Sequence, residues 1–182
     1  MLNRFTSINK IEVSYFNFNH ICENPTIIIN AKRGSGKSTM ARELMNYFNI
    51  SLKYPVCVLC SYSEKVDPYY SLFMPPSYIY EDCERMISKV LKRQIEMKNI
   101  NNQRLKEGKK KIDDRILVVM DDCISDSKLW RKSKDLAEIF YNGRHYNITL
   151  IIVSQDIVAI PPSFRSNIDI VMLFNTSIQE EL

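Results

Sequence analysis

The segment Thr26-Ile-Ile-Ile-Asn30-Ala31-Lys32-Arg33-Gly34-Ser35-Gly36-Lys37-Ser38-Thr39 constrains this chain more than any other. A short β-branched run of this kind is the pattern of a strand buried on both faces. It is followed by a turn with two glycines, and then by Lys37 to Phe48, where Met40, Leu44, Met45 and Phe48 recur at helical spacing. Strand, glycine turn and helix in that order are the frame of a phosphate-binding loop, and Ala31-x4-Gly36-Lys37-Ser38 fits its pattern. Glycine is scarce here, four in 182 residues, where average usage gives roughly thirteen. Two of the four fall in this turn, so the backbone freedom is concentrated where amides must converge on an anion. In this reading residues 31–39 form the nucleotide site. Lys37 bridges the β- and γ-phosphates, the Ser38 hydroxyl ligates Mg²⁺, and the Thr39 hydroxyl is in reach of an α-phosphate. A dinucleotide fingerprint is excluded, because after Gly34-Ser-Gly36 a lysine intervenes and the third small position is Thr39.

The remaining pattern predicts an α/β fold with a mainly parallel five-stranded sheet. Further strands are expected at Val56 to Ser61, Arg115 to Met120, Ile148 to Val153 and Ile168 to Phe174. The stretch holding Pro68, Pro75 and Pro76 reads as loop. A helix of about 36 Å is expected from Glu81 to about Lys106, where Met86, Ile87, Val90, Leu91 and Ile95 keep helical spacing, with Gly108 ending it. Lys134 to Tyr141 is a second helix, with Gly143 in the place of a helix-ending glycine. Residues 1–25 read as an irregular segment or edge hairpin, and 26–182 as one domain with the basic helix and loop at about 81–112 inserted before the Arg115 strand. The longest wholly apolar runs are five residues, Ile116 to Met120 and Ile170 to Phe174, against the roughly twenty of a membrane helix. A soluble chain without a cleavable signal is therefore expected.

Ile116-Leu-Val-Val-Met120-Asp121-Asp122 sets adjacent carboxylates at the end of a buried strand, where open α/β sheets bind ligands. As a Walker B segment, Asp121 holds Mg²⁺ through water and Asp122 orients or deprotonates the attacking water. The second acid favours hydrolysis of ATP over transfer to an acceptor, and no Asn-Lys-x-Asp guanine signature is present. Ser154-Gln155 leaves another apolar strand. If that strand lies between the two motif strands, Gln155 senses the γ-phosphate or positions water. Arg144, after Gly143, is the first choice for an arginine presented to a neighbouring subunit, and Arg165 the second.

Five cysteines without a secretory signal imply free thiols in a reducing compartment. Cys57-Val-Leu-Cys60 has the spacing of a metal pair, but on a strand its two sulphurs face opposite sides, so both are expected as small core residues. From Arg85 to Arg115 there are eleven Lys and Arg against four Asp and Glu. A block of this kind suits a polyanion such as nucleic acid, or else a solvated helix face. Lys109, Lys110 and Lys111 are its densest point.

Taken together, Ala31-x4-Gly36-Lys37-Ser38, Val118-Val-Met-Asp121-Asp122, Asn142-Gly-Arg144-His145-Tyr-Asn-Ile148, Val153-Ser-Gln155 and Ile160-Pro-Pro-Ser-Phe-Arg165-Ser-Asn167 resemble the FtsK–HerA-type genome-packaging ATPases of large double-stranded DNA viruses. The similarity runs from about Thr26 to the end. It implies a P-loop NTPase (RecA/ASCE-like) three-layer sandwich of strand order 5-1-4-3-2, with the Gln155 strand between the motif strands. It also implies an ATP- and Mg²⁺-dependent ring, a pentamer or hexamer, that pushes double-stranded DNA into a capsid. Such a motor would dock on capsid or packaging-vertex proteins in the virion or at a viral assembly site in host cytoplasm. On this resemblance Arg144 is the trans-acting finger, Gln155 the sensor, and Lys109 to Lys111 candidates to face DNA. Ala31 stands where relatives have glycine and Asp122 where they tend to have Glu. Relatives usually continue past the fifth strand, so a shortened C-terminus is expected. The residues alone leave two other readings open: a P-loop kinase of nucleosides or polynucleotide ends, and a non-hydrolysing assembly subunit.

Overall fold

In a computed structural model, which describes residues 16–123 and 126–174, the chain forms six parallel strands sandwiched between helices. The strands are β1 (Thr26–Asn30), β2 (Val56–Ser61), β3 (Ile79–Tyr80), β4 (Ile116–Asp121), β5 (Ile148–Ser154) and β6 (Ile170–Leu173). Their spatial order is β3-β2-β4-β5-β1-β6, and every pairing is parallel. The five expected strands thus lie in the expected order, with the β5 strand between β1 and β4. The sixth strand corrects the expected count of five, and it lies just past the stretch that holds Pro68, Pro75 and Pro76. Ile79 and Tyr80 add two rungs to the outer edge of β2, directly after the 3-10 turns Tyr70–Leu72 and Pro76–Tyr78.

The pleat sends alternate strand residues to opposite faces. Ile27, Ile29, Leu59, Leu117, Val119, Ile151 and Val153 pack with Ala41, Leu44, Met45 and Phe48, which belong to α1 (Lys37–Asn46) and its π-helical continuation Tyr47–Ser51. Ile28, Val58, Val118, Met120, Leu150 and Ile152 pack against α2 (Cys83–Lys106), α3 (Ser127–Lys132), α4 (Lys134–Asn142) and α5 (Pro162–Arg165). The helix α3 was not anticipated, because six residues are too few to show a period. As the strand argument requires, Cys57 and Cys60 belong to opposite faces, and no disulfide forms among the five free cysteines.

Helix α2 begins where the Asp82 carboxylate caps the Arg85 amide at 2.9 Å. It stops at Gly108, whose φ of 69° is the left-handed conformation that glycine tolerates. Its inward stripe departs from the apolar spacing at one place. Ile95 is 42% exposed, while Gln94 beside it is 1% exposed. Gln94 Nε2 donates to the carbonyls of Asp114 (2.8 Å) and Tyr146 (2.5 Å). These residues lead into β4 and β5, so a polar side chain takes the inward position and ties α2 to the entry of both central strands. Gly143 stands directly after the end of α4, as expected, but with helical dihedrals (φ −54°), and the left-handed stop falls at Asn147 (φ 54°), whose Nδ2 donates to Asp114 at 2.7 Å.

Replacing Gln94 by Leu should therefore lower unfolding free energy by about 1 to 3 kcal/mol, because two partly buried carbonyls lose the Gln94 donor. Urea denaturation of the two proteins measures it, and an unchanged midpoint would remove Gln94 as the tie.

Candidate functional site

Parallel strands place all their C-terminal ends on one edge of the sheet, and the loops leaving β1, β2, β4 and β5 surround a cavity there of about 610 Å³. Arg33, Gly34, Gly36, Lys37, Ser38 and Thr39 line one side, Asp121, Asp122 and Gln155 the other, and Ser63, Val66 and Asp67 a third. The phosphate-loop turn is held by Ala31 N–H donating to Ser154 O (3.0 Å) and Ser35 Oγ to Lys32 O (2.6 Å). Gly34 and Gly36 have φ of 76° and 89°, and a Cβ on either would touch nothing in the chain. Their constraint within the protein is conformational, not steric. Gly36 precedes α1 without a side-chain cap, so the first amides of that helix are available to an anion.

Three of the expected catalytic groups converge on one oxygen. Lys37, 9% exposed, places Nζ 2.9 Å from Asp122 Oδ1. Gln155 Nε2 donates to the same oxygen at 3.2 Å. Asp122 itself has φ 54°, a left-handed conformation Asp accepts at modest cost, and its amide donates to Val153 O at 3.2 Å. The bend turns the second carboxylate away from the strand line and toward Lys37.

Asp121 is treated differently. It is 3% exposed. One carboxylate oxygen, Oδ2, accepts from the Tyr70 hydroxyl at 2.9 Å, while Oδ1 is buried with no hydrogen-bond partner. A buried orphaned carboxylate oxygen is costly, and a divalent cation would satisfy it. With Ser38 lining the same cavity, the donor set of hard oxygens fits Mg²⁺. Burial raises the Asp121 carboxyl from its ordinary 3.8 to about 6, against the lowering effect of the Tyr70 hydrogen bond.

Tyr70 is a site residue the sequence did not disclose. It lies in the proline-broken loop and is 1% exposed. Glu64 puts it there: the carboxylate accepts from the amides of Tyr69 (3.1 Å), Tyr70 (3.0 Å) and Ser71 (2.8 Å). Burial works against the Glu64 charge, but these amide bonds outweigh it and hold the carboxyl below its usual range.

The remaining expected residues lie elsewhere. Arg144 precedes β5 and forms an ion pair with Asp169, whose Oδ2 accepts from the Thr26 amide at 2.8 Å. It is thus at the opposite edge of the sheet from its own phosphate loop, about 20 Å away by strand length. Arg165 ends α5, which follows β5 and precedes β6. Lys109, Lys110 and Lys111 are exposed beyond the end of α2, just ahead of β4, also remote from the phosphate loop.

A phosphate loop and a two-acid strand end on a parallel sheet of this order define a P-loop ATPase fold. The solved structure of EssC (ATPases 2 and 3) from Geobacillus thermodenitrificans shares it, with a TM-score of 0.57 at 19% identity over 84% of this chain and 32% of that one. Residues 13–181 match the family described as Poxvirus A32 protein, and the chain belongs to that family. It is 34% identical over 172 residues to the uncharacterized protein L437 of Acanthamoeba polyphaga mimivirus, covering 94% of this chain and 59% of L437. It is 32% identical over 149 residues to the uncharacterized protein 015R of Frog virus 3 (isolate Goorha), covering 81% of this chain and 43% of 015R. The chain therefore spans roughly half the length of these relatives. Among the described residues no helix is long and apolar enough to cross a membrane.

The Asp121 carboxyl gives a pH prediction. The folded chain keeps this proton at pH values where the unfolded chain has lost it. Stability of the metal-free protein therefore falls as pH rises from about 4 to about 6 and then levels off. Asp121→Asn should remove that component and stabilise the metal-free fold at pH 7 by about 1 to 3 kcal/mol. Thermal melts between pH 4 and pH 8 test this, and an unstabilised variant would mean the carboxylate is not held at a cost.

Proposed function

We propose that this chain is the motor domain of a ring-forming ATPase that moves double-stranded DNA into a viral capsid. The observation that carries the ATPase part is the convergence of Lys37 and Gln155 on Asp122 beside the orphaned oxygen of Asp121. Membership of the Poxvirus A32 protein family and the basic run from Arg85 to Arg115 support the DNA-packaging part.

In this reading the α1 amides and Lys37 hold the β- and γ-phosphates of ATP, while Ser38 and Asp121 hold Mg²⁺. That ion supplies charge neutralisation on the phosphates. In the nucleotide-free chain Lys37 neutralises Asp122. When a γ-phosphate enters, Lys37 turns to it and leaves the carboxylate free, with Gln155 beside it, to orient and deprotonate water. Turnover is therefore coupled to occupancy: the base is masked until the phosphate claims its lysine. Tyr70 keeps Asp121 Oδ2 occupied, which leaves Oδ1 as the oxygen that would hold the ion.

Arg144 cannot serve its own site from the far edge of the sheet. Its place is the active site of an adjacent subunit, where an arginine is worth roughly 10³ to 10⁵ in rate. The Asp169 pair holds it along the surface until then. Lys109 to Lys111 and the exposed basic face of α2 are the surface offered to the DNA backbone, a contact that weakens as salt rises.

Steady-state ATPase at low salt should rise several-fold with duplex DNA, and Asp122→Asn should bind ATP yet lose turnover by about 10² or more. Labelled γ-phosphate on an acceptor in place of free phosphate would make the chain a kinase. Arg144→Ala subunits mixed into wild type should depress activity out of proportion to their fraction. A linear decline would argue against a role across subunits.

A further inference from the structure

Cys60 on β2, Cys83 at the first turn of α2 and Cys123 just past β4 come from distant parts of the chain, yet their three Sγ atoms lie within 4.8 Å of one another. Each is 0 to 1% exposed. We propose that this trio is a structural metal site for a thiophilic d¹⁰ cation, Zn²⁺ in the first instance, separate from the nucleotide site.

The geometry argues for a metal over the alternatives. Thiolates about a Zn²⁺ ion at about 2.3 Å stand about 3.8 to 4.0 Å apart, so the trio needs only a sub-ångström contraction to close on an ion. A disulfide would join two sulphurs, strand the third and require an oxidant. Cysteines serving only as small apolar side chains have no reason to meet: Cys57, one turn of the pleat away, packs alone on the other face. The position of Cys123 is fixed independently of its sulphur, since Trp130 Nε1 donates to its carbonyl at 3.1 Å. In the metal-free chain the Cys123 thiol is directed at the carbonyls of Cys60 (3.6 Å) and Asp121 (3.4 Å), long contacts that binding would exchange for a metal–sulphur bond.

Tyr62, whose hydroxyl donates to Asp126 Oδ2 at 3.3 Å, is near enough to all three sulphurs to feel their charge. A fourth ligand would be an oxygen, from water or from Asp126 in exchange for one of its present hydrogen bonds to Tyr62 and the Leu129 amide. Binding is written Zn²⁺ + 3 Cys–SH → [Zn(S–Cys)₃]⁻ + 3 H⁺, with the protons passing to solvent and no change of oxidation state. The ion would clamp the end of β2, the start of the basic helix α2 and the turn after Asp121-Asp122. It would thereby join the strand end that meets nucleotide to the helix that carries the positive charge.

The test is titration of the reduced, metal-stripped full chain with Co²⁺, followed by Zn²⁺, in the absence of nucleotide, so its outcome is independent of the ATPase reading. The expected result is a thiolate-to-cobalt charge-transfer band that saturates at one ion per chain with three-thiolate intensity, tetrahedral d–d bands in the visible, and bleaching by one equivalent of Zn²⁺. Cys60→Ser and Cys83→Ser should lose the band, whereas Cys57→Ser and Cys22→Ser should keep it whole. Absence of a saturable band in the wild type overturns the proposal. So does a band that survives undiminished in folded Cys83→Ser or disappears in folded Cys57→Ser. Should a serine variant fail to fold, the wild-type titration decides alone, because the band intensity counts the thiolates.

Discussion

Two neighbouring carboxylates leave one buried strand, and the site depends on their being handled in opposite ways. Asp121 continues the strand line into the interior, where one oxygen meets Tyr70 and the other meets nothing. Asp122 takes a left-handed bend, emerges at the cavity and is neutralised by Lys37. An unpaired buried carboxylate oxygen is unfavourable in isolation, and the fold retains it because the β4 strand is clamped between β2 and β5 along its whole length. The strain therefore sits where a cation and a phosphate can relieve it, a form of stored preorganisation.

The rest of the architecture serves that edge. A parallel sheet collects the ends of β1, β4 and β5 side by side, so the phosphate loop, the acid pair and Gln155 arrive together without long-range adjustment. At the opposite edge, Gln94 binds the carbonyls that precede β4 and β5, and Arg144 is held by Asp169. The two edges hold different residues: one the phosphate loop, the acid pair and Gln155, the other Arg144 and the exposed Lys109 to Lys111. Helix α2, about 36 Å long, spans the distance between them. The three cysteines lie at its upper end, beside the acid pair.

What was legible in the sequence was what depends on local backbone and period. Gly34, Gly36 and Lys37 follow an apolar run, and Asp121-Asp122 ends another, so both could be placed on strand ends. The burial of every residue in β1, β4 and β5 gave runs without alternation. Gln155 could be assigned a place because its strand was expected between the other two. Tyr70 was not legible, since its insertion depends on Glu64 collecting three amides in a loop without period. Ile95 keeps the apolar spacing of α2 yet is exposed, and hydrophobicity alone cannot reveal that the inward place goes to Gln94, which binds two carbonyls. Asn147 ends the Gly143 turn through its own hydrogen bonds to Asp114 and Asn24, which no propensity indicates. Cys60, Cys83 and Cys123 have no common spacing, and only the sheet order and the start of α2 bring them together.

In the proposed cycle Lys37 is shared, held by Asp122 until it is surrendered to phosphate. Equilibrium binding of a fluorescent ATP analogue with Mg²⁺ to wild type and to Asp122→Asn measures this most directly. Removing the charge that holds Lys37 should tighten binding by about three- to tenfold, roughly 1 kcal/mol. An Asp122→Asn protein that binds the nucleotide tenfold more weakly than wild type would contradict the account.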